Sequence, residues 1–147
     1  MTDKYKTKQN EILKKAILII LQDGIENISA QEICRSIPIR RTTLQHYYPK
    51  MTDLYLHIME NEAHRYDELK NIEEEEFGLA WKNKLEEDER FNLVNSLCLK
   101  LFASQSTLSA EQNKRLNVIV ESCTLKLVFH SASLCLMNQM QRVSQVA

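Results

Sequence analysis

Across residues 40–47, seven of the eight side chains can donate or accept a hydrogen bond: Arg40, Arg41, Thr42, Thr43, Gln45, His46 and Tyr47. A guanidinium group pairs in bidentate fashion with guanine edges or with phosphate, and a glutamine amide does the same with adenine. A threonine bonds a phosphate or touches a thymine methyl group. Leu44 and Tyr48, spaced i and i+4, are the only positions that face inward if the stretch is helical. Packing gives little reason for a helix this polar. A helix lying in the major groove of a DNA duplex explains it. Ser29 and Gln31 upstream and Lys50 downstream are placed to hold backbone phosphates, with His46 and Tyr47 as flanking contacts.

Elements that position these residues are legible on both sides. Ser29 with Glu32 makes an S-x-x-E capping box, so a helix is expected to begin just after Ser29. Pro38 disfavours helical geometry at Ile37 and lacks a backbone donor, so that helix is expected to end near Ser36. Before it, Ile12, Leu13, Ala16, Ile17, Ile20 and Leu21 recur at helical spacing and predict a first helix over residues 8–22. Gly24 is expected to close that helix as a left-handed cap. Ile25, Ile28, Ile33, Ile37 and Ile39 extend the same small core.

With these elements in place, residues 12–56 resemble the N-terminal DNA-binding domain of TetR-family (TetR/AcrR) transcriptional regulators. Gly24, Ile28, Ile33, Ile39, Thr43, Leu44, Tyr48, Asp53 and Leu54 stand where that family's pattern wants them. Four positions depart from it. Pro38 replaces the usual turn glycine, Thr42 a frequent small residue and Gln45 a tyrosine, and Met51 takes the place of a phosphate-contacting lysine, with Lys50 just before it. The resemblance implies a repressor that binds a palindromic operator as a homodimer. It also implies release by a small molecule bound in the body, and a fourth helix whose tilt sets the spacing of the two heads. Because the body is short for the family, a peptide or protein effector, or no effector, stays open beside the small molecule.

Composition agrees with such a protein. Hydrophobic residues make up 44% of the 147 and charged residues 27%, enough for a core and a solvated surface. Two Gly and two Pro are too few to punctuate a sheet-rich fold, so the fold class is expected to be all-α. The net charge of −1 hides an asymmetry: residues 1–50 carry nine Lys/Arg against five Asp/Glu, and residues 51–147 ten against fifteen. The basic half contains the groove-facing stretch. The amino terminus lacks the apolar core of a signal peptide, and no apolar run approaches membrane-spanning length, so a cytoplasmic protein without membrane contact is expected. Cys34, Cys98, Cys123 and Cys135 then read as reduced thiols, with no C-x-x-C pair for zinc.

Two domains are expected: a helix-turn-helix head over residues 1–51 and a helical regulatory and dimerisation body over residues 52–147. Thr52 and Asp53 are expected to cap a fourth helix reaching about residue 70, buried through Tyr55, Ile58, Met59, Ala63, Tyr66 and Leu69. The acidic run at residues 73–76 suits the first turn of a helix carrying Phe77, Leu79, Ala80, Trp81 and Leu85. Another helix is expected over residues 87–104. Ser109 and Gln112 form a second capping box, opening a last helix to about residue 142. That helix is apolar on two faces. One face carries Leu116, Val120, Cys123, Leu127, His130, Leu134 and Met137, and the other Leu125, Phe129, Ala132, Leu136, Met140 and Val143. Two apolar faces need two partners, so Leu116, Val120, Cys123, Leu127, Leu134 and Met137 are expected at a dimer interface.

Other constellations have plainer explanations. Asp53, His57, Glu60 and His64 share a stripe of the fourth helix that reads as a solvated face before it reads as a metal site. Cys123, His130 and Met137 read as seam filler before a thiol or soft-metal sensor. No nucleophile elbow, phosphate-binding loop, H-E-x-x-H or glycine-rich fingerprint occurs, so neither catalysis nor a cofactor is expected. The alternative function is a helix-turn-helix protein with weakened DNA binding that acts through protein contacts, and Pro38 and Met51 motivate it.

Overall fold

The computed structural model describes residues 3–69 and 72–122. Seven α-helices run through them: α1 (Asp3–Asp23), α2 (Ala30–Ser36), α3 (Arg41–Tyr47), α4 (Met51–Glu62), α5 (Glu74–Glu87), α6 (Glu89–Ala103) and α7 (Ala110–Ser122). The fold is all-α. Its first three helices cluster at the amino-terminal end, and α4 packs against α1, α6 and α7. No helix among the described residues is long and apolar enough to cross a membrane.

Helix α1 buries Ile12, Leu13, Ala16, Ile17 and Ile20 of the expected stripe, and half-buries Leu21. It starts at Asp3, a full turn earlier than the apolar spacing predicts. Thr7 Oγ1 donates to the Asp3 carbonyl at 2.8 Å, the Asp3 carboxylate suits the positive end of the helix, and Tyr5 rests on α3. Gly24 does follow α1, its N–H reaching the Ile20 carbonyl at 2.8 Å. Its dihedrals, φ 84° and ψ 155°, lie outside the expected left-handed helical cap. They fall in an extended region at positive φ that is open almost only to glycine, and they send the chain into a 3-10 turn over Ile25–Asn27.

Helix α2 begins where Ser29 predicts, with Ser29 Oγ accepting the Glu32 N–H at 3.2 Å. Only this half of the capping box forms, because the Glu32 carboxylate turns to Arg35 at 3.1 Å. The helix ends at Ser36, and the Ile37 N–H closes it on the Ile33 carbonyl at 2.9 Å. Pro38 is exposed in the turn between α2 and α3.

The fourth helix is shorter than expected. Regular α-geometry stops at Glu62 and gives way to a 3-10 stretch, Ala63–Leu69. The tighter winding brings residues three apart into line, as the Glu62–Arg65 pair and the His64 contact with the Asn61 carbonyl show. Its amino-terminal cap is Lys50, one residue before Met51, in place of Thr52 or Asp53. Asp53 sits at the third helical position and accepts the Lys50 N–H at 2.9 Å. Thr52 is engaged elsewhere, by Gln112.

Helix α5 opens at the acidic run as expected, and α6 is capped by Asp88, which accepts the N–H groups of Arg90 and Phe91, both at 3.1 Å. On α5, the half-buried Trp81 has its indole N–H buried without an acceptor among the described residues. One continuous core joins α1 to α7 through Ile33, Leu44, Leu54, Ile58, Phe91, Leu97 and Leu116. Leu116 corrects an expectation: assigned to a contact between copies, it is fully buried within its own chain. Of the other residues assigned to that contact, Val120 has its backbone in α7. Cys123, Leu127, Leu134 and Met137 lie outside the described residues, as do His130, Cys135, the second apolar face and the rest of the expected last helix.

Candidate nucleic-acid interface

Helix α3 is seven residues long, far too short to hold its shape alone, so its neighbours must seat it. Leu44 plugs it into the core at 2% exposure, and Tyr48 follows one turn later at 4%. The Tyr48 N–H closes the helix on the Leu44 carbonyl at 2.8 Å. Burying a leucine is worth about 1.5–3 kcal/mol, enough to fix which face of so short a helix looks outward.

The outward face holds most of the residues named from sequence. Arg40, Arg41, Thr42, Gln45 and His46 are exposed, and Thr43 and Tyr47 are half-buried. Arg41 and Gln45 stand one turn apart and share a face. Ser29 and Gln31 are exposed at the start of α2, and Lys50 is exposed at the start of α4. Neither Arg40 nor Arg41 has a carboxylate partner among the described residues, whereas Arg35, Arg65, Arg90 and Arg115 are all ion-paired. Two unpaired guanidinium groups beside an exposed amide form a surface suited to phosphates and base edges. Met51, at the position where the resemblance expects a lysine, is half-buried against the core and contributes no charge.

Two features of the site escaped the sequence. The first is an aromatic clasp at the carboxyl end of α3. Tyr5 of α1 lies over Tyr47 at 4.7 Å between ring centroids and meets His46 edge-on at 5.6 Å. Gln9, one turn further along α1, reaches the Tyr47 carbonyl at 3.5 Å. His46 and Tyr47 are therefore partly occupied in holding α3, which narrows their expected role as flanking contacts. The signal was present: Gln9 and Tyr5 continue the stripe that begins at Ile12 for about two turns towards the amino terminus.

The second is a polar junction beneath α3. Gln112 forms a complete capping box with Ser109, its side-chain Oε1 accepting the Ser109 N–H at 3.0 Å and its backbone N–H donating to Ser109 Oγ at 3.1 Å. Its amide nitrogen crosses to α4, donating to Thr52 Oγ1 at 2.7 Å and Asp53 Oδ1 at 3.2 Å. Arg115, one turn along α7, pairs with Glu60 and lies 3.8 Å from Asp53. On the α3 side, the Tyr48 hydroxyl meets His57 Nδ1 at 2.7 Å. Of the stripe read from sequence as solvated, Asp53 and His57 are half-buried towards α7 and α3, whereas Glu60, which Arg115 reaches from α7, and His64 are exposed as expected. Among the described residues no group of His, Cys, Asp and Glu is arranged to hold a metal ion.

Away from α3, a cleft of about 840 Å³ opens between the 3-10 stretch after α4 and the α5–α6 junction, lined by Leu21, Leu69, Arg65, Lys84, Asp88 and Arg90. Its floor is an ion-pair network. Glu62 is held by Arg65 and Arg90, and Asp88 by Arg65 and Lys84. Burial pushes the Glu62 carboxyl up, but the hydrogen bonds and charges of the two arginines outweigh it and hold the group below its ordinary range.

No protein-family model matches the sequence, and comparison with curated proteins and with solved structures likewise found no match.

Proposed function

We propose that this protein is a sequence-specific DNA-binding transcriptional regulator of the TetR type, acting as a homodimer on a palindromic site. The observation that carries the reading is the pair of exposed arginines, Arg40 and Arg41, without a carboxylate partner among the described residues, beside a helix whose opposite side is fixed by Leu44. In this reading α3 enters the major groove. Arg41 and Gln45 meet base edges, Arg40 and Thr42 bases or phosphates, and Ser29, Gln31 and Lys50 hold the backbone. Two copies present two such helices about 34–36 Å apart, one duplex turn. The cleft beside Arg65 and Arg90 is the place for an effector. Such an effector must favour the state that cannot bind DNA by several kcal/mol to release the operator.

The test is a mobility-shift titration of the full chain on its own promoter region at increasing salt. Binding led by phosphates weakens steeply, with a slope of log affinity against log salt of about −0.9 per phosphate contacted. Affinity that does not respond to salt would sink the proposal. Half-burial of Met51 favours a second reading, a helix-turn-helix protein with weakened DNA affinity that works through protein contacts. It predicts only weak, sequence-indifferent shifts in the same assay.

A further inference from the structure

We propose that the Tyr48–His57 pair is an acid-sensitive catch that ties α3 to the α4–α7 junction and loosens that junction when His57 takes up a proton. The catch itself is independent of DNA; its regulatory meaning rests on the DNA-binding reading above.

Geometry fixes the resting state. Tyr48 is buried at the end of α3, and its hydroxyl has one close partner, His57 Nδ1 at 2.7 Å, with the Gln9 carbonyl further off at 3.5 Å. Burial, with the nearby Tyr5, keeps the phenol protonated far above its ordinary range despite Arg115. Of the two acceptors within reach of the phenol proton, Nδ1 at 2.7 Å is nearer than the Gln9 carbonyl at 3.5 Å; with the phenol donating to Nδ1, His57 is the neutral tautomer with its proton on Nε2. A cleft of about 290 Å³ lined by Gln9, Tyr48, Asp53, His57, Glu60 and Arg115 opens this pair to solvent.

A proton arriving from solvent binds Nδ1 and turns it from acceptor to donor. The Tyr48 oxygen must then accept, and its own hydrogen is left with the distant Gln9 carbonyl. The charged groups around His57 complete the device. Asp53 and Glu60, one turn to either side on α4, are the carboxylates that Arg115 of α7 already uses. An imidazolium at His57 competes for Glu60 at i+3 and repels Arg115, so the same proton that strains the α3 contact weakens the hold of α7 on α4. In the resting state burial disfavours charge on His57 and Arg115 adds to it, against the pull of Glu60.

Imidazole nitrogen NMR on the full chain tests the catch without any DNA. His57 is expected as the Nε2–H tautomer near neutral pH, titrating with a midpoint below 6.5, its ordinary value. Arg115→Gln should move the midpoint up and Glu60→Gln should move it down. Amide hydrogen exchange, corrected for the intrinsic pH effect, should then be about threefold or more faster over residues 110–116 at about pH 5.5 than at about pH 7.5. His57→Gln should abolish that difference. A midpoint at or above 6.5 in the unaltered protein, or equal α7 protection at both pH values, overturns the catch. In a parallel mobility shift, DNA affinity at the lower pH should fall in the unaltered protein relative to His57→Gln. DNA binding absent at both pH values would count against the DNA reading alone, because the NMR and exchange results stand without it.

Discussion

Arg90 Nη1 donates to Glu62 Oε1 at 2.8 Å, and Glu62 is 1% exposed, so a carboxylate from the end of α4 is buried against the first turn of α6. Arg65 reaches the other oxygen of the same carboxylate and spans to Asp88, the cap of α6. The pair clamps together the elements that frame the 840 Å³ cleft.

Removing the buried partner is expected to cost the most. Glu62→Ala takes its carboxylate from Arg90 and leaves Arg65 with Asp88, and should lower stability by about 2–3 kcal/mol, less than the ~3–5 kcal/mol of fully buried pairs because both arginines keep some solvent and Arg65 keeps a partner. Arg90→Ala, which leaves Arg65 on Glu62, should cost less. Urea unfolding followed by circular dichroism would check the order; equal losses from the two variants would contradict it.

Acid should act through the same carboxylates. The folded-state pKa of Glu62 lies below its ordinary 4.5, so its stabilisation is fully present above that value and lost as pH falls through the folded pKa. Asp88 behaves alike below 3.8; there burial is outweighed by the Phe91 N–H, Arg65 and Lys84. His57 adds an earlier step of the same sign: its pKa is lowered, so stability begins to fall as pH drops below 6.5. Thermal midpoints measured against pH should show two descending limbs. Glu62→Gln should flatten the lower one and His57→Gln the upper.

Seating and reading of the groove should separate by mutation. Leu44→Ala empties the core position beneath α3 and should cost about 2–5 kcal/mol of stability, taking DNA binding with it. Arg41→Ala and Gln45→Ala should leave the thermal midpoint unchanged and reduce discrimination between operator and unrelated duplex. Each lost bidentate base contact is worth about 1–3 kcal/mol of that discrimination. Lys50→Ala should weaken all duplexes alike and reduce the salt slope by about one. Unchanged affinity in all three surface variants would remove α3 from the interface.

Gln112→Ala deletes half of a capping box together with the bridge to Thr52 and Asp53. Caps of this kind contribute about 0.5–2 kcal/mol, and the value here should fall in the upper half because the amide is buried. Gln112→Glu retains the acceptor for the Ser109 N–H while losing the donor to α4. Comparing the two by denaturant unfolding separates the cap from the bridge.

The helices were legible because their signals are local. The α1 stripe, Ser29 as a cap, Pro38 as a stop and the Ser109–Gln112 box each act within a few residues of where they stand. Local signals also placed Arg40, Arg41 and Gln45 outward, since Leu44 and Tyr48 leave only one way to seat a two-turn helix. What escaped depends on chain distant in sequence. Nothing near Gln112 announces that its amide reaches Thr52, sixty positions away. Nothing near His57 announces that a tyrosine and an arginine from other helices convert a polar stripe into a junction. Leu116 failed for a related reason. Periodicity tells which residues share a face, and it is silent on whether the partner is another helix of the same chain or a second copy.

The clasp of Tyr5 over Tyr47 bears on how the protein can be trimmed. A chain begun at Lys8 would keep every residue named as groove-facing and the whole Ile12–Ile20 stripe, yet lose the arm on which the last turn of α3 leans. Shortening at that end would therefore blunt the reading surface while leaving the core intact, a defect that a melting curve would overlook.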